Sequence, residues 1–210
     1  MPIQSALRAL VLATLALPAF AEDGPPPGTY RLDPTHARLV VDVDHLGFSR
    51  YLLFFRTMEA TLTFAPDAPE TMRVQATIDT TSVETLFPDP AYDFNADLRA
   101  EGFLNAEAHP KATFTSTAVT LTGENSAEVT GDFTLRGVTK PLTLTVRFNG
   151  GYGRQSFDPG GARIGFSATG VFNRSDYGMT YGIPAAGTTL GVADEVRLRI
   201  EAEFVNPDAP

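Results

Sequence analysis

Cysteine and tryptophan are absent from the 210 residues, and only three histidines are present. Without cysteine there are no disulfides, thiolate metal sites or cysteine nucleophiles, so stability must come from burial and hydrogen bonding. Basic residues are scarce: 16 Lys and Arg stand against 25 Asp and Glu, a net charge of −9. Such a surface has no basic patch with which to neutralise phosphates and release their counterions. It repels nucleic acid and anionic lipid headgroups, and nucleic-acid binding is set aside. Long apolar runs are missing too. The run from Ala9 to Leu17 is far shorter than the ~20 residues that cross a bilayer, and no later segment reaches that length. The nucleophile motif G-x-S-x-G does not occur, which leaves a catalytic serine without its strained turn.

The N-terminus fits a secretory signal. Arg8 precedes the apolar run, and Ala19-Phe20-Ala21 supplies a small-x-small cleavage site. Residues 1–21 read as a signal peptide, with an uncleaved anchor as the alternative. Its removal takes away Arg8 and no acid, leaving 189 residues with 15 basic against 25 acidic, a net charge of −10. That length suits one domain with a sizeable core. Residues 22–28, EDGPPPG, read as a stiff exposed leader, 29–205 as the folded domain and 206–210 as a C-terminal tail.

Period-two alternation dominates what remains. In 37–45, Leu39, Val41, Val43 and His45 share one face and Arg38, Asp42 and Asp44 the other. The pattern recurs over 57–64, 72–79, 112–118, 127–135, 142–148 and 164–172. It is cleanest over 196–204, where Val196, Leu198, Ile200, Ala202 and Phe204 oppose Arg197, Arg199, Glu201 and Glu203. Eight such segments joined by Gly, Pro and Asn turns predict an all-β antiparallel sheet that closes or sandwiches. Only 88–105 breaks the pattern: Ala91, Phe94 and Leu98 at helical spacing predict a short helix over one end. A closed eight-stranded barrel is just wide enough to be filled by side chains or to hold one small ligand.

Chemistry-bearing clusters are few. His36 and His45 are an odd number of residues apart, so in one unbroken strand they face opposite ways and cannot share a metal. His109 lies elsewhere, in a turn before Pro110, and no metal site is expected. Glu59, Asp79, Glu128 and Asp132 offer carboxylates for a glycoside-hydrolase pair, but alternation puts them on solvated faces. Alternation does not say which face points inward, so an outer-membrane barrel, apolar outward, is a second architecture. Missing Trp and Tyr girdles count against it.

Four stretches in order, "YRLDPTHARLVVDVDHLGFSR", "ADLRAEGFLNAEAHPKATFTST", "GDFTLRGVTKPLTLTVRF" and "NRSDYGMTYG", resemble the YceI-like family of secreted bacterial proteins over residues 29–205. The resemblance implies an extended lipocalin-like eight-stranded antiparallel β-barrel in the periplasm, holding a polyisoprenoid or isoprenoid-quinone chain in its lumen. It implies a binding protein, carrier or sequestering agent, and neither an enzyme nor a cofactor-dependent protein. The sequence departs from the family after "HLGFSR", where "YLLFF" stands in place of a small residue. That stretch either narrows the lumen or forms an apolar lip through Phe54 and Phe55.

On this reading Val41, Val43, Leu62 and Ile78 line the lumen in the first half of the chain. Phe114, Phe133, Leu144 and Phe148 line it in the middle, and Phe166, Phe172, Leu198 and Ile200 near the end. The same residues are equally those of a plain filled core, which keeps a ligand-free structural barrel as an alternative. His45, Arg99, Arg174 and Tyr177 are candidates for a polar rim that holds a headgroup. The partners expected are the lipid and, during exchange, a membrane. Oligomeric state is left open, with a homodimer one option.

Overall fold

The computed structural model describes residues 24–210; the expected signal peptide lies outside the described residues. Among the described residues ten strands and one α-helix follow in order: β1 Gly28–His45, β2 Ser49–Phe55, β3 Met58–Phe64, β4 Arg73–Asp79, β5 Val83–Glu84, α1 Phe94–Arg99, β6 Lys111–Gly123, β7 Ser126–Leu135, β8 Val138–Tyr152, β9 Ala162–Asn173 and β10 Val192–Asn206. All pairings are antiparallel, and β10 pairs back onto β1, so the sheet closes.

The ring has eight strands although ten segments are extended. β1 pairs with β3 through Gly28 to Arg31 and with β2 through Leu39 to His45, so β2 and β3 lie end to end along one edge of β1. They form one long strand broken at Arg56 and Thr57. In the same way β4 and β5 succeed each other along β3 and β2, separated by a 3₁₀ turn, Thr80–Ser82, whose N-terminus Asp79 caps by accepting from the Thr81 amide. The eight predicted strands correspond to β1, β3, β4 and β6 to β10. The YLLFF stretch is itself a strand.

β1 is twice the predicted length because it carries an outward bulge. Leu32 pairs with Phe204 and Ala37 with Ala202, so Asp33 to His36 stand opposite Glu203 alone. Pro34, which has no N–H to give the ladder, is tolerated at such a place. At the bulge, Arg163 donates to Asp158 at 2.7 Å, Asp33 at 2.8 Å and Glu203 at 2.6 Å. This ties β1, β9, β10 and the β8–β9 loop together on the outside of the barrel. Hydrogen bonding to Arg163 holds Asp158 well below the usual carboxylate range. Burial would raise Asp33, but hydrogen bonds from Thr35, Arg163 and His36 outweigh it and pull this carboxyl far down as well.

The apolar face points inward. On β10, Val196, Leu198, Ile200 and Ala202 face the interior while Arg197, Arg199 and Glu201 are exposed outside. That is the reverse of an outer-membrane barrel, whose lipid-facing surface must be apolar. Tyr30, Phe64, Ala162, Ile164, Phe204 and Ala209 pack into one cluster where the start of β1 meets the end of β3, the start of β9 and the end of β10. Ala209 belongs to the stretch expected as a tail, and Arg154 holds it there by donating to its carbonyl at 3.0 Å.

The helix is shorter than its pattern suggested. α1 spans six residues, capped by the Asp93 carboxylate accepting from the Ala96 amide. Leu98 is buried, whereas Ala91 lies outside the helix in an exposed turn.

Candidate functional site

The barrel is hollow. A cavity of about 930 Å³ runs along its interior, near the top of the range for small-molecule sites. Inward side chains at mid-barrel, among them Val43, Ile78, Phe148, Phe166, Phe172, Leu198 and Ile200, are only partly buried although they face the axis. In a filled barrel, side chains meet across the axis and such positions lose all access to solvent. Along β6 the wall runs from Ala112 through Phe114, Ser116 and Val119 to Leu121, roughly 30 Å of strand before tilt. At one end lie Phe87, Phe94, Leu98, Phe103 and Leu104, from β5 to the start of β6. At the other lie Pro66, Pro69, Met72 and Leu121. Lining residues at both ends are exposed to solvent: Leu121, 53 %, at the β6–β7 hairpin, and Tyr181, 71 %, at the other end.

All twelve residues expected on the wall line this cavity. Phe148 and Phe166 face each other across β8 and β9 with ring centroids 5.3 Å apart. Phe133 and Phe172 are 5.5 Å apart. His45, Phe55 and Arg174 also lie on the wall.

Three expected rim residues do not. Phe54 is on the outer face of β2, since period two puts Tyr51, Leu53 and Phe55 on the wall and Leu52 and Phe54 outside. Arg99 follows Leu98 on α1; with Leu98 turned inward, helix geometry carries Arg99 round to the surface. There it pairs with Asp93 at 3.2 Å. Tyr177 is buried behind the wall, its ring 5.4 Å from both Phe133 and Phe172, and supports those two rings. Sequence reasoning missed Tyr51 and Leu53, because β2 is apolar on both faces and gives no alternation to read. It also missed Phe87, Phe103, Met179 and Tyr181, which come from loops where no period applies.

Polar groups on the wall are few, and the buried ones are engaged. The Thr80 hydroxyl donates to the His109 carbonyl at 2.7 Å, and the Ser116 hydroxyl accepts from the Val74 amide at 2.9 Å. Arg174, 4 % exposed, donates to the carbonyls of Ala193, Met179 and Val192 at 2.9, 3.0 and 2.8 Å. Burial lowers its pKa, with the Asp194 charge opposing that shift.

The histidines are separate. His36 sits on the bulge with its Nδ1 2.9 Å from Asp33, while His45 ends β1. Asp33, His36 and Glu203 lie close enough together to hold a cation. The Arg163 guanidinium already occupies that position between the two carboxylates. Of the four strand carboxylates, Glu59 is exposed on β3, Glu128 and Asp132 are exposed four residues apart on β7, and Asp79 is a cap. They do not converge as a pair.

Residues 30–204 match the model of the YceI-like domain. Protein YceI of Escherichia coli is 36 % identical over 202 residues, covering 94 % of this chain and 97 % of that one. Among solved structures, Burkholderia cenocepacia BcnA matches with a TM-score of 0.67 at 24 % identity, covering 82 % of this chain and 98 % of that one. A polyisoprenoid binding domain from Saccharophagus degradans, implicated in plant cell wall breakdown, matches with a TM-score of 0.59 at 17 % identity, covering 88 % and 100 %. With nearly its whole described length matched in sequence and its closed barrel shared by these structures, the chain belongs to the YceI-like family.

Proposed function

We propose that this protein is an exported, periplasmic carrier or sequestering protein whose lumen shields an isoprenoid or isoprenoid-quinone-like chain from water. The observation that carries this reading is the hollow interior: about 930 Å³ walled by Phe, Leu, Val and Ile side chains that have one another only in part for neighbours. The polyisoprenoid binding described for the Saccharophagus degradans domain, a chain of the same fold, points the same way.

Each buried CH₂ contributes about 0.8 kcal/mol relative to water, so ten carbons contribute on the order of 8 kcal/mol before ordering costs. Relative to a membrane the gain is near zero, because lipid tails are as apolar as the wall. Loading and release then turn on small polar terms at the ends of the cavity, which suits exchange with a membrane better than permanent storage.

The test is to purify the protein from its own cells, extract it with organic solvent and analyse the extract by mass spectrometry. A prenyl-chain lipid in stoichiometric amount is expected. An extract without lipid, from a barrel whose lumen is packed, overturns the reading.

A further inference from the structure

Among the described residues, Arg174 is the one charged side chain that is both buried and on the cavity wall. The charged wall residues Glu59, Arg73 and Glu124, and His45 on the same wall, are exposed. Arg174 forms no salt bridge among the described residues. Its nearest counter-charge, Asp194, is spent on Ser175, accepting from that residue's amide at 2.8 Å and its hydroxyl at 2.6 Å. A guanidinium has five N–H donors, and three of those on Arg174 are used, all by backbone carbonyls. What is left is a full positive charge with two spare donors at the end of a mostly apolar cavity. Buried charges are ordinarily paired, and Arg174 borders the cavity, where a partner has room.

We infer that Arg174 recognises an anionic oxygen group, a carboxylate or a phosphate, at the end of the chain that occupies the lumen. The planar fork of arginine suits such two-oxygen groups. The inference fixes the direction of the ligand. Its charged end lies at the Arg174 end beside Met179 and Val192, and its tail runs toward Leu121 at the β6–β7 hairpin. It rests on the proposal that the lumen holds a lipid chain, and it adds the chemistry and position of the headgroup.

Farnesoic acid and farnesol share one isoprenoid chain and differ in the charge of the end group. Binding of each to the lipid-free full chain is measured by calorimetry at neutral pH, with wild type, R174M, R174K and R73Q. Arg73 lies on the wall at the opposite end and serves as the positional control. Wild type is expected to prefer the acid by about tenfold or more, as charge-assisted hydrogen bonds are worth. R174M should bring the ratio to about one, R174K should keep a preference, and R73Q should leave it unchanged.

If neither probe binds wild type, the carrier reading fails. If both bind equally well, the carrier reading stands and the headgroup inference falls. A preference that survives in R174M, or vanishes in R73Q, also overturns it. Should R174M not fold, the Arg174 Nε–H resonance of wild type decides: it must shift on adding the acid and stay in place with the alcohol. A resonance that does not respond to the acid overturns the inference.

Discussion

Ile164 and Ile200 both face the interior of the barrel but in different surroundings, and truncating each to alanine separates a hollow lumen from a filled core. Ile164 is 0 % exposed and packed in one cluster with Tyr30, Phe64, Phe204 and Ala209. Ile200 lies on the cavity wall at mid-barrel and is only partly buried. The substitution removes three carbons, about 2.4 kcal/mol of transfer free energy at full burial. At Ile164 an enclosed void is left behind, raising the expected cost to about 3–4 kcal/mol. At Ile200 part of the side chain already borders the cavity and no new void is enclosed, so the expected cost is about 1 kcal/mol. Urea unfolding of lipid-free protein measures both. Addition of a prenyl ligand should then reveal the contacts missing at Ile200 as affinity about fivefold weaker, close to 1 kcal/mol. Equal costs for I164A and I200A in lipid-free protein would refute the reasoning, because they would mean the lumen is packed at Ile200.

A76W should place an indole in the lumen, keep stability within about 1 kcal/mol because there is room for it, and lower the amount of lipid recovered by extraction. R163M leaves Asp33, Asp158 and Glu203 without their shared cation and should cost about 3 kcal/mol in urea unfolding near neutral pH. The folded-state pKa values of Asp33 and Asp158 are depressed, so their stabilising contribution is complete above the unfolded value of ~3.9 and is lost as pH falls through it toward the folded values. Wild type should therefore lose stability steeply from about pH 5 downward, with a flatter profile in R163M. G131A should destabilise by more than about 1 kcal/mol, since the added Cβ falls 2.6 Å from the Thr115 carbonyl oxygen, a backbone atom that cannot swing aside.

The closed barrel was legible because alternation is a direct image of the two faces of a strand. Val196 to Phe204 against Arg197 to Glu203 states both the strand and its inward face once the sheet is known to close. The same arithmetic named the wall residues, since period two fixes a face for every member of a strand. It failed where the period is masked. β2 carries Leu52 and Phe54 outside as well as Tyr51, Leu53 and Phe55 inside, so a true strand reads as an apolar lip. The bulge at Asp33 to His36 was invisible because its ion network depends on Arg163, 130 residues away. Arg99 and Tyr177 were misplaced because loops and short helices obey no period long enough to fix a direction. Arg174 was a rim candidate from the sequence, but its three carbonyl partners and the lack of a carboxylate partner show only in three dimensions.

The central claim is that the barrel encloses space for a chain and orients it. A crystal structure of protein purified from its own cells, without added lipid, tests this most directly. The account predicts continuous elongated density along the lumen from beside Arg174 toward Leu121, flanked by Phe148, Phe166 and Ile200. A lumen closed by its own side chains meeting across the axis would contradict it.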